Sequence, residues 1–119
     1  MKIIQVVNAL PSLQKLAKQD LSIQTLYRVS KLLNILDNEI AFYNTQRDKI
    51  LSNYCDVVDN QYVPRKENIE KLNIEINELL STEIECDVRE VSVGIDEDIK
   101  LSYNDLMALE GFVRIKGEE

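Results

Sequence analysis

Residues 22–54, SIQTLYRVSKLLNILDNEIAFYNTQRDKILSNY, decide the fold. Leu26, Val29, Leu33, Leu36, Ile40, Tyr43, Arg47, Ile50 and Tyr54 are separated by alternating steps of three and four. That spacing keeps one face of an α-helix in line over the whole stretch. Eight of the nine positions are apolar or aromatic, and only Arg47 breaks the seam. Leu32, Phe42 and Leu51 widen the stripe, as in a helix that packs within a globular protein. Ser22 supplies an N-cap hydroxyl. At 1.5 Å per residue the helix is about 50 Å long, more than the width of a compact domain of this size. Part of it must project, pair with a later helix, or pair with another subunit.

Working outward, Asp59-Asn60 has turn chemistry between Val57-Val58 and Tyr62-Val63. Residues 55–64 therefore read as a small β-hairpin or a loop, since two short strands alone are marginal. Pro64 ends any strand, and Glu67 to Leu80 reads as a second helix with the seam Ile69, Leu72, Ile76 and Leu79. Folding back on the first helix, it makes a helical hairpin with a β-tip. At the N-terminus, residues 2–7 are rich in Ile and Val and read as a short strand, followed by a short helix over 8–18 with Pro11 in its first turn.

From Thr82 the period becomes two. Ile84, Cys86 and Val88 alternate with Glu85, Asp87 and Arg89, and then Val91, Val93 and Ile95 alternate in the other parity. Ser102 and Asp105 have capping-box spacing ahead of a helix over 103–110, with Gly111 at its end and a last strand over 112–116. The expected fold is α+β. A long helical hairpin with a short β-tip packs with a small antiparallel sheet from the N- and C-terminal segments. The 119 residues form one domain, with a strand and short helix over 1–21, the hairpin over 22–80, and strands and a short helix over 81–119.

Composition narrows the function. The chain has no histidine, which removes Ser-His-Asp and Cys-His catalysis and imidazole metal ligands. It has neither G-x-x-x-x-G-K-[ST] nor G-x-G-x-x-G. Carboxylates remain, in Asp96-Glu97-Asp98 and along Glu83, Glu85 and Asp87. Counted from Asp96, a calcium loop would need Gly at 101 and Glu at 107, where this chain has Leu101 and Met107. No enzyme, cofactor or metal is expected. The two cysteines, Cys55 and Cys86, are expected as reduced thiols. The opening run lacks a cleavage-site pattern, and no apolar run approaches the ~18 residues of a membrane span.

The net charge of −7 is uneven. Residues 1–66 carry nine Lys/Arg against six Asp/Glu, whereas residues 67–98 carry two against eleven. Such a field is either a solvated face or a surface for a basic partner, and it disfavours nucleic-acid binding, which needs a basic footprint. The candidate interface is Tyr43, Arg47, Tyr54 and Tyr62 near the hairpin end, with Glu83, Glu85, Asp87 and Glu90 in the acidic region. The tyrosines are core or an aromatic contact patch. Arg47 either pairs with Glu75 or Glu78 on the second helix or fixes register in a coiled coil.

The opening segment with Ala9-Leu10-Pro11-Ser12-Leu13-Gln14-Lys15-Leu16, the stretch Leu26-Tyr27-Arg28-Val29-Ser30-Lys31-Leu32-Leu33, the seam to Arg47-Asp48-Lys49-Ile50, and the later Asn77-Glu78-Leu79-Leu80, Glu83-Ile84-Glu85-Cys86-Asp87-Val88 and Leu106-Met107-Ala108-Leu109-Glu110-Gly111-Phe112-Val113 resemble a family of small bacteriophage and prophage proteins of unknown function. The resemblance covers nearly the whole chain and implies a phage of a Gram-positive host. With it, the expected function is a non-enzymatic protein-binding module of virion or tail assembly. The alternative is an inhibitor of a host defence protein that uses its acidic surface as a nucleic-acid mimic. The expected partner is a phage structural protein or a host defence protein, with homo-oligomerisation through the long helix and no membrane contact. The expected location is the host cytoplasm or the virion.

Overall fold

The computed structural model describes residues 1–85, 88–94 and 99–116. The order is α1 (Ile3–Ala17), α2 (Ile23–Tyr54), β1 (Cys55–Val58), β2 (Gln61–Pro64), a 3₁₀ turn (Lys66–Asn68), α3 (Ile69–Leu80), β3 (Val91–Gly94), α4 (Tyr103–Ala108) and β4 (Val113–Lys116). The class is α+β, dominated by the long helix. The body measures 57 × 30 × 22 Å, so it is drawn out along one axis.

The helix read from residues 22–54 is present at those bounds. Ser22 caps it, accepting a 3.4 Å hydrogen bond from the Thr25 backbone N–H. Its N-terminal half carries the core: Val29, Leu32 and Leu36 are buried. Beyond Leu36 the seam thins, and Ile40, Tyr43, Ile50 and Tyr54 are only half-buried. Phe42, placed by sequence in the apolar stripe, is exposed.

The N-terminal strand expected over 2–7 is instead the first two turns of α1. Ile3, Val6, Ala9, Leu13 and Leu16 form one buried stripe, and it lies against α2. The β-branched residues favour a strand locally, but burial of that helical stripe outweighs a propensity difference of a few tenths of a kcal/mol per residue. Pro11 consequently lies in the interior of α1, not in its first turn. The start of α1 is tied down by the Ile3 N–H donating to the Thr82 carbonyl at 2.9 Å and the Ile84 N–H donating to the Met1 carbonyl at 2.9 Å. Lys2 and Glu83 thus make an isolated antiparallel bridge, which is the whole of the pairing seen in the described part of the strand expected over 82–89. Cys86, Asp87 and Ile95 lie outside the described residues.

The expected antiparallel terminal sheet is replaced by β3 and β4 in parallel, Val91 opposite Val113 and Gly94 opposite Lys116. A parallel pair needs a crossover of a dozen or more residues, and the segment containing α4 provides it. Gly111, at φ +87°, turns the chain from α4 toward β4. Val91 and Val93 of β3, with Leu109, Phe112 and Val113, close the core over α1 and α2.

Polar ties hold α4 to α1. Asp105 completes the capping box with Ser102, whose Oγ accepts from the Asp105 N–H at 3.1 Å. The same carboxylate accepts from Ser12 Oγ at 2.8 Å and from Lys15 Nζ at 2.7 Å. These donors hold its carboxyl well below the usual 3.8, the Lys15 hydrogen bond contributing most. Gln19 makes a reciprocal pair with the Lys100 backbone, donating to its carbonyl and accepting from its N–H, both at 2.6 Å.

Candidate protein interface at the hairpin tip

The C-terminal half of α2, the β-hairpin and α3 form an arm. The arm is thinly packed, with Leu72 and Leu79 of α3 and Cys55 of β1 as its buried apolar residues. Ile76 of the α3 seam is half-buried and Ile69 is exposed. Cys55 is a free, buried thiol.

At the end of the arm residues 55–64 form a hairpin. β1 pairs antiparallel with β2, Cys55 opposite Pro64 and Val58 opposite Gln61. Asp59 and Asn60 both have positive φ, 52° and 62°, which is the backbone of a two-residue type I′ turn. That turn matches the right-handed twist of the strands, and Asp and Asn tolerate the left-handed region better than most residues. On one face Tyr62 leans back on α2, its hydroxyl 3.3 Å from Ser52 Oγ. Arg65 braces the base of the tip, with its Nε donating to Asp56 Oδ1 at 3.0 Å and its backbone N–H donating to the Tyr54 carbonyl at 3.1 Å.

The tip has no second layer among the described residues. Val57 is 67% exposed and Val58 51%, and Tyr62 and Val63 are exposed beside them. Val57 and Tyr62 lie opposite each other on one face of the ladder and Val58 and Val63 on the other, so the end of the projecting arm exposes large apolar side chains on both faces, an exposure of the kind that marks contact sites. Strand alternation explains neither Val57 nor Val58, because both faces of this two-stranded sheet are wet.

The sequence-selected residues divide. Tyr54 and Tyr62 sit at the tip. Partial burial, and then a hydrogen bond to the Glu75 carboxylate, push the Tyr54 phenol above its usual 10. Tyr43 is eleven residues earlier on α2, roughly 16 Å along the axis, so it is not part of the tip. Arg47 is exposed, and among the described residues no ion pair reaches it. Its expected partner Glu75 meets Tyr54 instead.

The acidic residues are dispersed in role. Glu67, Glu70 and Glu78 are exposed on the 3₁₀ turn and α3, and Glu85 is exposed beyond them. Glu83 accepts from the Met1 amino group at 2.9 Å, a contact that lowers its carboxyl pKa. Glu90 lies in a groove with Arg28, Lys31 and Arg89, so it is not part of a uniform acidic field. Asp87 and the Asp96-Glu97-Asp98 cluster lie outside the described residues. Among the described residues no group of three acidic or thiol side chains is placed to hold a metal ion. Nor is any helix there long and apolar enough to cross a membrane.

The apolar tip residues Val57, Val58 and Val63 were legible as strands but not as a surface. Their exposure depends on which distant elements pack over the hairpin, which no local pattern of residues encodes. Comparison with protein-family models, curated proteins and solved structures finds no match to this chain. The fold therefore defines only a class, a helix-dominated α+β protein with a projecting β-tipped arm.

Proposed function

We propose that this chain is a non-enzymatic protein-binding module that presents the β-tip of its arm to another protein, in the setting of bacteriophage particle assembly. The observation that carries this reading is the exposure of Val57, Val58, Tyr62 and Val63 at the end of the arm. A hairpin of this length gains nothing for the core by carrying apolar side chains into water. Its strands pass through a tight turn and are braced by Arg65, so the surface is held in one shape before a partner arrives. The lack of histidine supports a binding role over a catalytic one. The phage setting rests on the resemblance described above.

A second reading, inhibition of a host defence protein through an acidic nucleic-acid-like surface, draws on Glu67, Glu70, Glu78 and Glu85, all exposed within the chain's most acidic stretch. The two readings use different faces. A photo-crosslinking amino acid placed at position 58, and separately at position 85, in cells producing phage will distinguish them. A single crosslinked virion protein from position 58, lost with Tyr62→Asp, is the expected result. A product from position 85 alone that is identified as a nucleic-acid-binding defence protein would move the function to the second reading. Crosslinks from position 58 that match those from exposed Gln14 on α1 would remove the tip as an interface.

A further inference from the structure

The groove between α2 and β3 is chemically unlike the rest of the molecule. It encloses about 600 Å³, within the usual ~300–1,000 Å³ of ligand clefts. From α2, Arg28, Lys31, Leu32 and Ile35 enter it at i, i+3, i+4 and i+7, so they form one helix stripe. From the other wall come Arg89, Glu90, Val91 and Ser92. On the α2 side Arg28 and Lys31 bring two cations, and among the described residues no ion pair reaches either, in a chain whose net charge is −7. Below the charges lies an apolar floor of Leu32, Ile35 and Val91. Lys31 Nζ sits 5.2 Å from the centroid of the exposed Tyr27 ring, which holds the ammonium at the rim of the groove.

The backbone adds a second feature. The Val91 N–H donates to the Phe112 carbonyl at 2.8 Å, so the hydrogen-bonding groups of Val91 and Val93 face β4. In a parallel pair the intervening residues turn their N–H and C=O the other way. Those of Ser92 and Gly94 therefore face the edge opposite β4, where no strand pairs with β3 among the described residues. An unpaired strand edge is a ready template for an added strand.

From these two observations we propose that the groove takes an extended acidic peptide segment of a partner protein. The segment adds as a strand to β3 at Ser92 and Gly94. One acidic side chain meets Arg28 and Lys31, and one apolar side chain packs on Leu32, Ile35 and Val91. Charge complementarity selects the acid, and the strand edge selects an extended backbone over a helix or a free small anion. The inference rests on the protein-binding reading but uses a surface on the base of the molecule, away from the tip residues.

The test uses the full chain and a fluorescein-labelled hexapeptide, Thr-Glu-Thr-Val-Thr-Thr, whose Glu and Val stand two apart and so share one face of a strand, read by fluorescence anisotropy. Saturable binding is expected, weakened by raising salt from ~50 to ~300 mM. Arg28→Glu with Lys31→Glu should weaken it about tenfold or more, since reversing both charges turns attraction into repulsion. Both side chains are exposed, so circular dichroism should show the fold intact. A peptide with a central proline, which lacks the donor for strand pairing, should lose binding. No saturable binding, equal binding of the same peptide with Lys in place of Glu, or undiminished binding by the charge-reversed variant would overturn the proposal. Undiminished binding of the proline peptide would overturn the strand geometry. Self-association of the chain, abolished by the same charge reversal, would hand the groove to a second copy and overturn it too. Position-58 crosslinks are measured in parallel: their survival when groove binding fails leaves the tip reading in force, and their loss with groove binding intact removes the tip alone.

Discussion

Replacing Pro11 by Ala should stabilise this protein. Pro11 is the ninth residue of the fifteen-residue α1 and is exposed. In a continuous helix its missing N–H leaves the Val7 carbonyl, four residues earlier, without its intrahelical donor, and the ring crowds that carbonyl. An interior proline costs about 3 kcal/mol relative to alanine. Two effects offset the gain. Alanine restores backbone freedom to the unfolded chain, about 0.4–1 kcal/mol. A helix also bends around an interior proline, which relieves part of the strain. A net gain of roughly 1–2 kcal/mol follows, and no cavity opens because the ring faces solvent. For a chain of this length that corresponds to a rise in Tm of about 4–8 °C. Thermal melts and urea titrations followed at 222 nm would measure it, with the m-value checked for constancy. A Tm unchanged or lowered by Pro11→Ala would refute the reasoning. It would mean that a bend imposed by proline is what seats Ser12 and Leu13 against α4 and the core.

Leu36→Ala, at a fully buried core position, should cost about 3 kcal/mol in urea denaturation, whereas Leu72→Ala in the thinner arm should cost about 2 kcal/mol or less; equal losses would show that the arm is packed as tightly as the core. Asp105→Asn should flatten the acid side of the stability profile. The wild-type carboxyl is held below its usual 3.8, so its contribution is fully present above that pH and fades as pH falls through the lower folded value; a variant as acid-sensitive as the wild type would place the dependence elsewhere. Asn60→Gly should slow amide exchange across β1 and β2 because glycine occupies the φ of 62° without strain, and Asn60→Val should speed it, at a cost of about 1–2 kcal/mol. Exchange rates that do not change in opposite directions would argue against the type I′ turn.

Elements whose signals are local were legible in the sequence. The three-four seam and the Ser22 cap specify α2, the Asp59-Asn60 pair specifies the tip turn, and Ser102 with Asp105 specifies the start of α4. Each depends on groups within a few residues of one another. The opening of α1 was misread because Ile3-Ile4-Gln5-Val6-Val7 satisfies strand propensity, while the deciding stripe from Ile3 to Leu16 becomes visible only when the segment is read through Pro11. Of the residues that the sequence singles out there, Tyr54 and Tyr62 lie at the hairpin, whereas Tyr43 and Arg47 share the α2 seam with Tyr54 but lie two or more turns before it.

What the sequence by itself determined is thus the set of segments and their periods, since hydrophobic spacing and capping act over one or two turns. Tertiary structure alone decided four things. It set β3 and β4 parallel, because strand direction depends on where the crossover through α4 returns. It joined Asp105 to Ser12 and Lys15, ninety and more residues away. It also left Val57 and Val58 in water and brought Arg28 and Lys31 to β3. Each of these depends on which distant surfaces remain to cover an apolar face or oppose a charge, and that distribution exists only once the chain has closed on itself.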